Sequence, residues 1–383
     1  MSALALIASF ALASWAGLLL FRGNFWRADQ RLADAPLDFA HWPEVVAVVP
    51  ARNEADGVGR AVASLLGQDY PGCFSVILVD DNSEDGTAEI ARRAAANNAE
   101  RLKIVTGAGL ASGWTGKLWA VHQGLTAAER FAPAAVYVLL TDADIAHHPG
   151  TLRCLVARAD SGGCHLVSLM VKLRCQAFWE KLLIPAFVFF FQKLYPFPWV
   201  NDPAEDTAAA AGGCMLVRRD TLAAIGGIAA IRNQLIDDCA LAAAIKARGP
   251  IWLGLAERET SLRSYDRLAD IWDMVARSAF AQLDRSLLAL LVAVLGMVLL
   301  YVVPPLAALY GGAAGEGGAL VAGMGGWGLM AAAYRPTVRL YDLPGWVALT
   351  LPVAGILYTA MTVDSAVRHW RGQGGGWKGR SYS

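Results

Sequence analysis

The sequence predicts an α/β domain built on a mostly parallel sheet, with one membrane helix in front of it and further membrane helices behind it. Three observations carry this reading. From about residue 45 to residue 255, short apolar β-branched runs alternate with helix-like stretches, and that alternation winds into right-handed crossovers and a parallel sheet. Residues 3–21 carry no charge, and a helix of that length, at roughly 1.5 Å per residue, nearly crosses a hydrocarbon core of about 30 Å. Beyond Ser286 the chain turns apolar again in three stretches, at 287–310, 317–333 and 346–363.

Composition narrows the class. The 383 residues are 56% hydrophobic and 17% charged, with 33 Lys and Arg against 33 Asp and Glu. Such a chain is too apolar to be disordered, and without a basic excess to neutralise phosphates no nucleic-acid partner is expected. The N-terminal stretch, 1–22, reads as a retained anchor. A cleaved signal peptide is the competing reading, helped by Ala11-Leu12-Ala13, but no basic residue precedes the apolar run, which continues through Leu18-Leu19-Leu20. Arg22, Arg27 and Arg31 follow and put the next segment in the cytoplasm by the positive-inside rule. Cys73, Cys154, Cys164, Cys175, Cys214 and Cys239 show no metal-like spacing, so reduced, buried thiols are expected.

Within the domain, placed at 44–285, the elements follow in order. Residues 45–49 form a first strand, Asn53 is placed to cap a helix reaching Leu66, and 76–79 repeats the strand pattern before Asp80-Asp81-Asn82-Ser83. A helix from Thr87 toward Ala96, a strand at 102–105 and a helix from Lys117 to about Ala128 come next. The strand at 135–140 then ends in Thr141-Asp142-Ala143-Asp144. Ligands bind at the carboxyl ends of strands in open α/β sheets. Two carboxylates one residue apart at such an end suit Mg²⁺ or Mn²⁺ holding a diphosphate; a solvated turn with Asx capping is the plain alternative. His147 and His148 are read as solvated loop residues, not ligands.

The Rossmann-like rhythm raises the question of a dinucleotide site, and the first turn answers it. Pro50-Ala51-Arg52-Asn53-Glu54 has no glycine-rich approach for a pyrophosphate, and Gly107, Gly109 and Gly113 follow the third strand at the wrong spacing.

The motifs themselves resemble a known family. Val-Val-Pro-Ala-Arg-Asn-Glu (48–54), Val-Asp-Asp-Asn-Ser-Glu-Asp-Gly-Thr (79–87), Gly-Lys (116–117), Thr-Asp-Ala-Asp (141–144) and Asp-Asp (237–238), in this order, resemble the inverting family 2 glycosyltransferases of GT-A fold. Gly113 to Trp119, the run to Pro196-Phe197-Pro198-Trp199, Ala211-Gly212-Gly213-Cys214-Met215 and Trp377-Lys378-Gly379-Arg380 are similar to the hopanoid-biosynthesis-associated members. Ceramide glucosyltransferases, which act on lipids at the cytosolic membrane face, are a more distant likeness.

What the resemblance implies is specific. The donor is a nucleotide sugar, UDP-linked if Asp80 or Asp81 accepts the imide N–H of uracil, although the pair is also placed to cap the next helix, a task Asp85 can perform without them. Pro50, Arg52 and Glu54 fall on the donor side, Glu54 being equally a helix N-terminal acid that complements the dipole. Lys117 faces the donor phosphates, or serves solubility alone. Asp142 and Asp144 match the ribose and metal positions, for Mn²⁺ or Mg²⁺. Asp238 matches the base, with Asp237 as its neighbour, where the family more often has Glu-Asp; both also sit where they would cap a helix from Cys239 to Ala247. The acceptor is a membrane lipid hydroxyl, hopanoid-related in the nearest likeness. A polyprenyl phosphate acceptor, or a silent membrane scaffold, stays as an alternative.

One departure stands out. Gln282 and Arg285 keep the spacing of the Gln/Arg-x-x-Arg-Trp motif of processive members but lack the tryptophan, which argues against polymer synthesis and leaves Arg277 or Arg285 as a candidate phosphate-facing cation. Residues 182–194, with Phe187, Phe189, Phe190 and Phe191 around Pro185, read as a kinked interfacial segment reaching residue 200, or as a buried core helix. The C-terminal membrane region, 286–366, then holds two or three spans before a basic tail at 367–383. With Arg22 to Arg31 inside, three further crossings leave the tail outside, whereas Arg368, Arg371, Lys378 and Arg380 favour inside. One stretch is therefore expected to be re-entrant, and Pro304-Pro305 marks the first as the suspect. The expected setting is a bacterial-type cytoplasmic membrane, multi-pass, with the α/β domain in the cytoplasm.

Overall fold

The structure is a computed structural model that describes residues 2–34, 42–373, 376–377 and 380–381; Lys378 of the basic tail lies outside them. Helix α1 (Ala3–Phe21) opens the chain, capped by Ser2, whose hydroxyl accepts the Ala5 N–H at 3.1 Å. The sheet follows. Strands β1 (Val45–Ala51), β2 (Phe74–Asp80), β3 (Leu102–Thr106) and β4 (Tyr137–Thr141) pair in parallel in the order β3-β2-β1-β4. They are joined through α2 (Val58–Leu66), α3 (Thr87–Ala95) and α4 (Gly116–Phe131). Every residue of β1 is buried, as expected of a strand covered by helices on both faces.

Beyond β4 the sheet turns mixed. The two-residue β5 (Ile145–Ala146) leads to α5 (Thr151–Ser161) and β6 (Leu166–Lys172). Helices α6 (Phe178–Leu194) and α7 (Phe197–Asn201) precede β7 (Cys214–Arg218), which inserts antiparallel between β4 and β6. Then come α8 (Arg219–Ala224), α9 (Asp237–Lys246) and β8 (Ile251–Ser261), the last parallel to β6 and antiparallel to β5. The full order is β3-β2-β1-β4-β7-β6-β8-β5. Because β7 runs backwards, its N-terminal end meets the C-terminal ends of β1, β2 and β4, so Gly212 and Asp142 share one edge.

Four expectations are corrected here. Asn53 does not cap α2: it adopts a left-handed conformation (φ 50°) and its Oδ1 accepts the Glu84 N–H at 3.0 Å, tying two loops together. The 182–200 segment is not interrupted at Pro185: α6 runs through it to Leu194, with Leu183, Ile184, Pro185, Ala186, Val188 and Phe189 buried, and α7 follows after Tyr195-Pro196. Its aromatic side chains fill the seam between the sheet domain and the C-terminal helices, Phe189 against Tyr334 and Phe190 against Tyr301 and Tyr358. Cys73 is exposed, while Cys154, Cys164, Cys214 and Cys239 are buried and all six are free. His147 is buried, as described below.

After α10 (Leu268–Ala276), α11 (Leu287–Met297) passes through a wide turn at 298–302 into α12 (Val303–Ala314), then come α13 (Gly317–Leu340) and α14 (Leu351–Trp370). Among the described residues, three segments are long and apolar enough to cross a membrane: Ala3–Phe21, Leu287–Ala314 and Gly345–Trp370. Pro304-Pro305 therefore sits at the first turn of α12 without interrupting the longest of them.

Candidate active site

The C-terminal edge of β1 and β2 is built by loops that satisfy each other's backbone. Asn53 N–H donates to Ser83 Oγ (3.0 Å), Glu54 N–H to Thr87 Oγ1 (2.9 Å) and Ala55 N–H to Asp85 Oδ2 (2.9 Å). Asp85 also accepts the Thr87 N–H at 3.1 Å, so it caps α3 and releases its neighbours from that task. The pair Asp80-Asp81 divides: Asp80 Oδ1 accepts the Ser83 N–H at 3.2 Å, while Asp81 is fully buried beside the Arg52 guanidinium at 3.9 Å. Arg52 further donates to the Asp81 carbonyl at 2.6 Å. A rigid, charged corner results, with Pro50 on the wall of a small cavity that Lys117, Asp142, Gly212 and Asp237 also line.

Lys117 is the centre of that cavity. Thr115 caps α4 and aims the first turn at the sheet edge, and Lys117 Nζ lies 3.1 Å from Asp142 Oδ1 and 3.4 Å from Asp237 Oδ2. Burial opposes its charge, but Asp142, Asp237 and Asp238 outweigh it and hold the ammonium above the usual lysine range. Asp237 and Asp238 open α9, where acids complement the helix dipole. Asp238 Oδ2 accepts the Gly212 N–H at 3.0 Å and Oδ1 the Cys239 N–H at 2.8 Å. Its carboxyl is nevertheless pushed up to about 6, by burial first and Asp237 next, against the pull of Lys117 and the two N–H groups.

On the other side of Lys117, burial, then Asp142 and then Glu54 push Asp144 up to about 6, with Arg263 pulling it down. Among the described residues no group of three or more metal-type side chains exists. The donor set still suits a hard divalent cation, since two crowded carboxylates are what such a cation relieves, and a donor diphosphate would supply the missing oxygens. His147 does not take part: it is buried, its Nε2 shares a hydrogen bond with Thr141 Oγ1 at 2.9 Å, and burial lowers its pKa to about 4.

The residues expected on the donor and those expected at the base thus converge on one edge. Residues 46–226 match the family model for glycosyl transferase family 2. Over that stretch, just under half of its length, the chain is similar to the family 2 glycosyltransferases. It is of GT-A type, a mixed, mostly parallel sheet flanked by apolar helices able to span a membrane. A 90-residue stretch is 33% identical to the 4,4'-diaponeurosporenoate glycosyltransferase of Staphylococcus aureus, covering 24% of this chain and 22% of that protein. The counterpart from another strain is 32% identical over 96 residues, 25% of this chain and 24% of its own length. This chain therefore spans under a quarter of the curated relatives it matches. The mannosyltransferase PcManGT from Pyrobaculum calidifontis, solved with GDP-Man and Mn²⁺, is 20% identical with a TM-score of 0.52, over 96% of this chain and 99% of that one. That likeness establishes the fold alone.

Sequence reasoning missed two features of the family 2 site. A Cβ on Gly212 would lie 3.2 Å from Lys117 Nζ and 3.5 Å from Asp238 Oδ2, so a side chain here would crowd the Lys117 ammonium while glycine leaves it room. Arg263 and Tyr265 follow β8 back to the site, where Leu262 N–H donates to the Asp144 carbonyl at 2.7 Å. The Gly212-Gly213 pair was a visible signal for the first; nothing in the sequence marked the second. Arg277, one of the two candidate cations, lies within electrostatic range of Tyr265, as do Asp144 and Asp142.

Proposed function

We propose that this protein is a membrane-embedded inverting glycosyltransferase that moves one sugar from a nucleoside-diphosphate donor to a hydroxyl of a membrane lipid, with Asp238 as the base. Asp238 carries the reading. It is a carboxylate with a pKa near neutrality, fixed by two backbone N–H groups and separated from the expected diphosphate side only by Lys117. A base is most effective when its pKa lies near the working pH. In the single displacement, Asp238 takes the acceptor hydroxyl's proton as that oxygen bonds to the anomeric carbon and the bond to the diphosphate oxygen breaks. Lys117 faces the charge that develops on the leaving group. Asp142 and Asp144 would hold Mn²⁺ or Mg²⁺, which would neutralise diphosphate charge when bound. Arg52, Asp80 and Asp81 form the nucleobase end, suited to UDP, with Pro50 and Glu54 beside them.

The acceptor class rests on where the membrane helices meet the site. Lys172, ending β6 on the active edge, pairs with Asp342 just after α13 at 2.8 Å, so that edge faces the bilayer. The name of the curated relatives supports an apolar, lipid-like acceptor; a hopanoid rests on the motif resemblance alone.

The helices also suggest a topology. Gly318 faces Ala5 and Gly325 faces Leu12, so α1 and α13 run parallel, and α12 runs antiparallel to α13, with Gly311 against Leu320 and Gly323 against Ala308. Both ends of the last segment return to the α/β domain, through Asp342–Lys172 and through Arg368–Asp273 at 2.8 Å. It is the re-entrant element in our reading, in place of α11–α12. The tail then lies on the same side as the domain, in the cytoplasm, in agreement with its arginines.

Purified protein incubated with labelled UDP- or GDP-sugars, a divalent cation and a lipid extract is expected to move label into the organic phase. Absence of transfer with every donor, under conditions where donor binding is measurable, rejects the reading.

A further inference from the structure

We propose that Arg22 and Lys193 form a binding site for the phosphate headgroup of a membrane lipid, at the seam where α1, α6 and the α11–α12 helix meet. This rests on the membrane reading of α1 and not on the reaction. Arg22 closes α1, and its Nε and Nη2 donate to the Lys193 and Leu194 carbonyls at 3.2 and 3.0 Å. Its guanidinium lies 4.8 Å from the centre of the Trp199 ring. Lys193 Nζ donates to Tyr301 Oη at 2.8 Å and sits over the Tyr301 and Phe190 rings.

These contacts use only part of either cation's donor set. Among the described residues neither makes an ion pair with a carboxylate, whereas Lys117, Lys172, Arg174 and Arg368 each do. Two like charges are thus held together in a half-buried, aromatic setting. Burial, and then Arg22, lower Lys193 to about 8. An anion between them would relieve both effects. The surroundings select which anion. Leu20, Phe21 and Leu194 are 71%, 78% and 45% exposed beside the two cations, a setting for acyl chains rather than for a free ion. The structure therefore assigns an anionic lipid, its phosphate on the cations and its chains along α1.

The test uses the full chain in nanodiscs of phosphatidylcholine, with and without phosphatidylglycerol, and a third arm with inorganic phosphate. Phosphatidylglycerol is expected to raise the unfolding temperature saturably and to give a retained lipid adduct in native mass spectrometry. Lys193→Met and Arg22→Gln should lose most of both effects, while Arg371→Gln, an equal charge change on the exposed tail, should keep them. Lys193→Met removes a desolvated charge and shortens the side chain by only one heavy atom, so it is expected to fold even if Arg22→Gln does not. An equal loss in Arg371→Gln, an undiminished shift in Lys193→Met, or an equal response to inorganic phosphate would each overturn the proposal.

Discussion

Asp238→Asn removes one negative oxygen from the site and leaves its shape. The native carboxyl titrates at about 6, against 3.8 for an ordinary aspartate, and a gap of about two units means the folded site disfavours the anion by about 3 kcal/mol. For an acid whose folded pKa is raised, the stabilising effect is present below the unfolded value and lost as pH rises through the folded one. Stability therefore declines between about pH 4 and 6, and the cost is complete above that window. The amide avoids the cost but has one oxygen where two accept N–H groups, which forfeits about 1 kcal/mol. The apo variant is thus expected to be more stable than wild type at pH 7.5, by about 1–2 kcal/mol. Turnover should fall by roughly 10² to 10⁴, about 3–5 kcal/mol of barrier, with donor affinity unchanged within a few-fold. Wild-type kcat/KM should decline as pH falls below about 6, where Asp238 takes up its proton. The assay pairs thermal unfolding and donor affinity with initial rates on the same lipid extract. Near-normal turnover in the variant would refute the base and favour an acceptor already ionised, such as a polyprenyl phosphate. A loss of stability would refute the argument from burial.

The remaining predictions concern the metal, the glycine and the topology. EDTA should abolish turnover and Mn²⁺ or Mg²⁺ restore it, while Asp142→Asn and Asp144→Asn should weaken metal-dependent donor binding; full activity after dialysis into chelator removes the assignment. In Gly212→Ala the new methyl lies 3.2 Å from Lys117 Nζ, which must give way, so kcat should drop about tenfold, a misplacement cost, at nearly unchanged Tm; unchanged kcat would show that the close approach is incidental. With Cys73 replaced, impermeant thiol reagents on intact cells should label Ala314→Cys between α12 and α13 and spare Ala99→Cys and Gln373→Cys. Labelling at Gln373 would make the last segment a full crossing.

The local pattern of this sequence was enough to place β1 to β4, their helices and the acidic ends of β2 and β4, because each lies within one strand–turn–helix unit whose periodicity and turn residues are neighbours in the chain. The apolar N-terminal helix, long enough to cross a membrane, is likewise legible in its lack of charge. Other features depended on residues far apart in sequence. The reversal of β7 brings Gly212 to Asp238, and Lys117 meets Asp237, 120 residues further along the chain. In α6, read from sequence as either interfacial or buried, Phe189 is buried against Tyr334 of α13 and Phe190 packs on Tyr358 of α14, and hydrophobicity alone does not distinguish lipid from a neighbouring helix as the solvent. For the same reason, hydropathy located the apolar stretches after Ser286 but gave neither the number that cross nor their direction. What the tertiary structure adds is that Asp342 and Arg368 both find partners on the α/β domain, since charge pairing between distant segments is a property of the folded chain.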